Sequence, residues 1–231
     1  MKKIAIVQSN YIPWKGYFDL IASVDELILY DDMQYTRRDW RNRNKIKTPR
    51  GLQWLTIPII SKGRYLQKIR EVEIDGDDWM ELQWRTISQN YRRSPNYLQI
   101  ASILEPLYLR RSFTNLSDLN RTFIEYICSY LGIKTIIKNS WDYSLREGKT
   151  DRLIDLCLQA EGTEYLSGPS AKNYLDEKLF TARGIKLSWI DYNGYPEYRQ
   201  LWGEFIHEVS IIDLLFSCGK DASNYLKYAI K

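Results

Sequence analysis

The stretch Ile4-Ala-Ile-Val-Gln-Ser-Asn-Tyr-Ile-Pro-Trp-Lys-Gly-Tyr-Phe-Asp-Leu-Ile-Ala-Ser-Val-Asp-Glu-Leu-Ile-Leu-Tyr-Asp-Asp32 carries the plan of the fold. An apolar strand, Ile4 to Val7, runs into a polar and aromatic turn, a helix follows near Tyr17 to Ser23, and a second strand, Glu26 to Tyr30, stops at Asp31 and Asp32. In an open α/β sheet the ligand sits at the carboxyl ends of the strands. Here two neighbouring strand ends deliver Gln8, Tyr17, Asp31 and Asp32, which are the first candidates for catalytic work.

The rest of the chain extends this pattern. A β-branched run, Gln53 to Ile60, predicts a strand that ends or lies at an edge near Pro58, and Ile69 to Ile74 predicts a short strand before the Asp75-Gly76 turn. Apolar residues at helical spacing predict helices from Trp79 to Tyr91, from Pro95 to about Leu109, and from Leu116 to Leu131 before Gly132. Strand and helix then alternate: strand 135–137, helix 151–160, strand 164–166, helix 172–183, strand 185–190, and final helices at 210–218 and from Ala222. Such alternation predicts an α/β fold, a Rossmann-like, mainly parallel sheet flanked by helices. A single domain over residues 1–231 is expected, with a helical insertion over about residues 79–131 forming a lobe within it.

Composition agrees with an ordinary globular protein of 231 residues, 44% hydrophobic and 27% charged, long enough to bury a sizeable core. The net charge of +4 is uneven, because Arg37, Arg38, Arg41, Arg43, Lys45, Lys47 and Arg50 crowd one stretch. That cluster seeks an anion. No zinc-finger, homeodomain or RNA-recognition pattern accompanies it, so nucleic acid is not expected and a phosphorylated small molecule is. Cys128, Cys157 and Cys218 lie far apart in apolar surroundings and read as reduced thiols. The N-terminus turns polar too soon for a signal peptide, and no run reaches the length of a membrane span, so the expected location is the cytoplasm.

Several groups of residues have the chemistry of a phosphate or metal site. Arg38, Asn42, Arg43 and Asn44 form a dense donor set, and guanidinium forks match phosphate oxygens. Asp31 and Asp32 have the ligand chemistry for Mg²⁺ beside nucleotide phosphates, and equally that of partners for the nearby arginines. Pro13 and Gly16 fix and free the backbone where the first turn enters its helix. Ser167 and Gly168 close a second strand-to-helix turn, with Lys172 in the first turn of the helix, where backbone N–H, hydroxyl and ammonium could converge on a phosphate. Glu147 to Thr150 has a P-loop ending, but Tyr143 stands where the upstream glycine belongs. The lone histidine, His207, reads as structural or solvent-facing, and Ser210, His207 and Asp213 do not make a triad on sequence closeness alone.

Together these residues resemble the WbqC-like family: Gln8, Tyr11, Pro13, Gly16 to Phe18, Tyr30 to Asp32, Gln34, Arg38, Trp40, Asn42 to Asn44, Tyr91, Tyr165 to Pro169, Tyr174 to Asp176, Tyr198, Gln200, Ser210 and Asp213. The likeness covers nearly the whole chain; one departure is Ser9, where the family commonly has proline after the glutamine. Members are usually encoded in bacterial clusters for O-antigen and other surface polysaccharides. The resemblance thus implies cytoplasmic work on a nucleotide-linked sugar. A fold-level likeness to pantothenate-synthetase-type enzymes, whose two histidines are replaced here by Trp14 and Tyr17, suggests ATP as a co-substrate. The expected function is N-acylation of a dTDP- or UDP-linked amino sugar by a transferase or amide-forming ligase, aminoacylation through an acyl-adenylate included. In that scheme Arg38, Arg43 and Lys172 meet phosphates, Asp31 or Asp32 holds Mg²⁺, and Gln8 with Tyr17 orients the acceptor. Tyr11, Gly16, Gln34, Asn42, Asn44, Ser167 and Gly168 complete the binding set. Expected partners are the nucleotide-linked sugar and a small carboxylic or acyl donor, with a homo-oligomer compatible. The competing expectation is a nucleotide-sugar-binding or scaffold protein without chemistry.

Overall fold

A computed structural model describes residues 1–229. The strands are β1 (Lys3–Val7), β2 (Glu26–Leu29), β3 (Arg43–Thr48), β4 (Gly51–Thr56), β5 (Ile136–Asn139), β6 (Glu164–Ser167) and β7 (Lys186–Trp189). The helices are α1 (Lys15–Ala22), α2 (Asp78–Tyr91), α3 (Tyr97–Leu109), α4 (Leu116–Leu131), α5 (Thr150–Gln159), α6 (Glu177–Ala182) and α7 (Ile211–Cys218). Five strands form one parallel sheet in the order β5-β2-β1-β6-β7, while β3 and β4 pair as an antiparallel hairpin. The expected α/β architecture, a parallel sheet flanked by helices, is the one found.

Period-two alternation explains why the central strands read as unbroken apolar runs. Ala5, Leu27 and Leu29 face the core that contains α1, α4 and α7, whereas Ile4, Ile6 and Ile28 face the core built on α5 and α6. Both faces are therefore covered. The helices α2, α3 and α4 stand between β2 and β5 in the chain and contribute to the first of these cores. Helix α4 is bounded by side-chain and backbone chemistry: Asn115 Oδ1 accepts from the N–H groups of Ser117 and Asp118, and Gly132 leaves it with φ of 73°. Such a cap contributes about 1 kcal/mol.

Four expectations change on folding. The strand β3 was hidden in the basic stretch because its inward residues include Asn44 and Lys47, polar groups that are buried only because partners elsewhere in the chain satisfy them. Ile69 to Ile74 is not a strand: a 3₁₀ turn at Ile69–Glu71 is followed by single bridges from Glu73 to Asn115 and from Ile74 to Ile59. The helix expected over 172–183 divides into a 3₁₀ turn at Pro169–Asn173 and α6, which starts where Asp176 accepts from the Lys178 N–H. The segment from Ala222 belongs to a 3₁₀ stretch, Gly219–Tyr225. No helix among the described residues is long and apolar enough to cross a membrane.

Candidate functional site

The sheet order places the crevice. The chain builds outward from β1 through β2 to β5, then returns to the other side of β1 with β6 and β7, so the loops after β1 and β6 leave the same edge in opposite directions. A cavity of about 800 Å³ opens at this edge, bounded by the loop after β1, the hairpin strand β3, the loop after β7 and the segment before α7. Its walls are aromatic, from Trp14, Trp40, Tyr192 and Tyr195, with Lys45, His207 and Glu208 supplying charge or proton chemistry.

The loop after β1 is held under strain. Ile12, a β-branched residue, has φ of 35° and is fully buried. Such a conformation costs of order 1–3 kcal/mol and persists only where its surroundings impose it. Here they do: Asn44 Nδ2 donates to the carbonyls of Tyr11 and Ile12 at 3.0 Å each, and Ser210 Oγ donates to the Ile12 carbonyl at 2.7 Å. Asp31 anchors the start of the same loop, accepting from Ser9 N at 2.8 Å and from Ser117 Oγ on α4. Burial raises the pKa of its carboxyl, against the pull of those donors.

Trp14 forms one wall. Its indole folds back across Gly16 and meets Tyr192 edge to face, with ring centres 5.2 Å apart. A Cβ at position 16 would lie 2.3 Å from the indole, so only glycine lets the ring take this place. The variant Gly16→Ala is expected to evict Trp14 from the wall and to lose about 1–3 kcal/mol by overpacking. Denaturant unfolding and near-ultraviolet circular dichroism measure both; an unchanged aromatic signal would contradict the role given to Gly16.

Beneath the wall, Lys15 is buried, with Nζ donating to the Pro196 carbonyl at 2.9 Å and lying 5.0 to 5.5 Å from the ring centres of Tyr195, Tyr198 and Phe205. Burial brings its pKa down to about 8, with the carboxylate of Asp19 opposing the shift. His207 packs edge-on against Phe205, ring centres 4.5 Å apart. Its Nδ1 is buried without a partner, which leaves Nε2 as the nitrogen open to a ligand. Burial first, and Lys15 second, lower its pKa below the ordinary 6.5, so the imidazole is neutral at pH 7.

The residues singled out in the sequence are distributed unevenly about this cavity. Asn44 lines it, and Gly16 shapes it through Trp14. Gln8 receives the guanidinium of Arg41 on its side chain, and its carbonyl accepts from Tyr17 Oη at 3.1 Å. Tyr11 points into the helical side, its hydroxyl donating to Gln83 Oε1 at 2.7 Å and meeting that of Tyr108. Asn42 bridges Tyr35 and the Ile57 carbonyl, and Gln34 donates to the Tyr65 carbonyl. Asp32 accepts from Lys68 and Arg70, both at 3.1 Å, and from Ser140. The oxygens of Asp31 and Asp32 therefore all carry protein donors, and the pair as arranged does not fit Mg²⁺.

The guanidinium that reaches the first loop is that of Arg41, which donates to Asn10 and Gln8. Arg38 is exposed, with φ of 59°. Arg43 donates to the Arg38 carbonyl and lies over Trp54. Ser167 ends β6 and Gly168 and Lys172 follow it, all outside the cavity's lining, with Lys172 Nζ 5.6 Å from the centre of the Trp189 ring. Sequence reasoning missed Lys15, Tyr192, Tyr195 and the position of His207. None belongs to a motif, and they meet only because α1, the loop after β7 and the segment before α7 converge.

Comparison with known proteins completes the picture. The model of the WbqC-like protein family matches residues 8–225. The chain belongs to this family. It is similar to "Uncharacterized protein Rv1507c" of Mycobacterium tuberculosis (strain ATCC 25618 / H37Rv), 60% identical over 228 residues that cover 99% of each chain. No solved structure matches it. In this WbqC-like protein the family span takes in every wall of the cavity, from the loop after β1 to the segment before α7.

Proposed function

We propose that this WbqC-like protein is an enzyme of nucleotide-sugar metabolism that N-acylates a dTDP- or UDP-linked amino sugar for a surface polysaccharide. The observation that carries the reading is His207 on the wall of an aromatic cavity between the loops that follow β1 and β7, where burial lowers its pKa. Acylation needs such a group. The sugar amine attacks the acyl carbon of an activated donor, a C–N bond forms, the bond to the leaving group breaks with its electron pair, and the amine proton passes to His207. An acyl-adenylate, made when a carboxylate attacks the α-phosphate of ATP and pyrophosphate leaves, and itself losing AMP to the amine, is the form of donor that the fold-level likeness to pantothenate-synthetase-type enzymes suggests. Because Asp31 and Asp32 are engaged with protein donors, no step is routed through a metal.

Aromatic walls suit the apolar faces of a sugar ring, and the strained, well-anchored loop after β1 holds one side of the cavity in a fixed shape. The protein is expected to convert a dTDP- or UDP-linked amino sugar, given ATP and a panel of small carboxylic acids or their thioesters, into an amide heavier by the acyl group. Mass spectrometry reads the product. If no adduct forms across the panel while the nucleotide sugar raises the melting temperature, the protein binds without turnover. That second reading draws on one feature: among the described residues no group bonds to His207 Nδ1 to orient the ring.

A further inference from the structure

The hairpin β3–β4 carries an exposed aromatic and cationic surface that the cavity wall uses only in part. Trp40 and Trp54 are each 40% exposed, with ring centres 5.4 Å apart and planes tilted by 39°. The Arg43 guanidinium lies 4.0 Å from the centre of the Trp54 ring, and Lys45 Nζ stands 5.0 Å from Trp54 and 5.6 Å from Trp40. Trp54 on the hairpin and Trp40 in the preceding turn lie side by side, and neither belongs to either hydrophobic core, so the core does not account for them.

Strand register makes the grouping. Lys45 pairs with Trp54 across the hairpin and Arg43 pairs with Thr56, so Arg43, Lys45 and Trp54 share one face. Trp40 is brought over them from the preceding turn, where its carbonyl accepts from Tyr11 N at 3.0 Å. The same bond ties the platform to the loop that lines the cavity. Trp40 and Lys45 also border that cavity, so a ligand lying on the platform continues directly into it.

We infer that Trp40 and Trp54, with Lys45 and Arg43 beside them, are the subsite for a nucleoside diphosphate, the base stacked on the indoles and the phosphates met by the two cations. This rests on the proposed nucleotide-sugar substrate and deepens it, by separating a base subsite on the hairpin from the sugar site in the cavity. An uncharged sugar would use the indole faces and leave the cations idle. A free phosphate would use the cations and leave the indoles idle. A nucleoside diphosphate uses both, since every base has a π-face and guanidinium and ammonium groups pair with phosphate oxygens. The Arg38 carbonyl accepts from Arg43 Nη2, which holds the guanidinium beside Trp54 before a ligand arrives.

Isothermal titration of UDP, dTDP and a hexosamine 1-phosphate against the wild-type protein and the variants Trp40→Ala, Trp54→Ala and Trp54→Phe tests the assignment. UDP or dTDP is expected to bind the wild type, each alanine variant to bind it roughly tenfold more weakly, and Trp54→Phe to recover most of the loss. Affinity for hexosamine 1-phosphate should change little. Both indoles sit at the surface, so circular dichroism and melting temperature are expected to stay near those of the wild type and show that the variants are folded. Equal binding of UDP or dTDP by wild type and alanine variants overturns the base subsite and leaves the nucleotide-sugar reading standing. Binding of hexosamine 1-phosphate with neither nucleotide overturns both, as does the absence of any binding. Preference for a single-stranded oligonucleotide over UDP and dTDP, lost steeply with salt, overturns the subsite in favour of nucleic acid.

Discussion

Replacing His207 with alanine lowers the turnover of the proposed acylation by about 10²–10⁴-fold, the loss expected when a general base is removed. Affinity for the nucleotide sugar should fall far less, because the aromatic walls and Lys45 remain. Steady-state kinetics and titration calorimetry separate the two effects, and a variant that retains turnover within a few-fold of the wild type removes His207 from the mechanism. The pH profile adds a second readout. Burial and Lys15 both lower the histidine's pKa, while Glu197 and Glu208 raise it. The active form is the neutral one, so the histidine gives kcat/KM an acid limb whose midpoint lies below 6.5. Replacing Lys15 with methionine removes one depressing charge, and the acid limb should then move to higher pH. Above about 8, where Lys15 itself loses its proton, His207 is already neutral, so that titration leaves the histidine's protonation unchanged.

The largest expected effect on stability belongs to Asp19, a fully buried carboxylate on α1. Its oxygens accept from Tyr195 Oη at 2.7 Å, from Lys227 N at 2.9 and 3.0 Å, and from Tyr228 N at 2.8 Å. Asp19→Ala would leave these donors facing a small void. The expected cost is about 3–5 kcal/mol, or on the order of 10 °C in melting temperature for a chain of this size. Asp19→Asn keeps acceptor capacity and should lose less. The damage reaches the cavity, because Lys227 Nζ donates to the Asp191 and Asn193 carbonyls and so pins the loop that carries Tyr192 and Tyr195. Limited trypsin digestion is expected to cut at Lys227 sooner in the alanine variant. A loss under 1 kcal/mol with unchanged digestion would show that the C-terminal segment is held by other contacts.

The parts of the fold visible from the sequence are those governed by local pattern. The βαβ opening, the helices of the 79–131 segment and the later alternation all carry period-two or helical spacing that contacts along the chain enforce. The hairpin strand β3 had no such signature, since Asn44 is buried through bonds to Tyr11 and Ile12, more than thirty residues earlier in the chain. Asp31 and Asp32 illustrate the same limit. Their residue types suggested metal ligation or pairing with arginine, and their partners come from Ser9 and Ser117 for one and from Lys68, Arg70 and Ser140 for the other.

Residue order and patterning alone therefore established an α/β chain with a mainly parallel sheet and the family to which its residues belong. Which side chains share the cavity was settled by packing across long stretches of chain. Lys15, Tyr195 and His207 come from α1, the loop after β7 and the segment before α7, and hydrophobic burial, rather than any motif, presses them together. Proximity across a sheet's edge is a property of strand order, and desolvation shifts a pKa only once the neighbours that exclude water are in place, so neither could be read before the chain was folded.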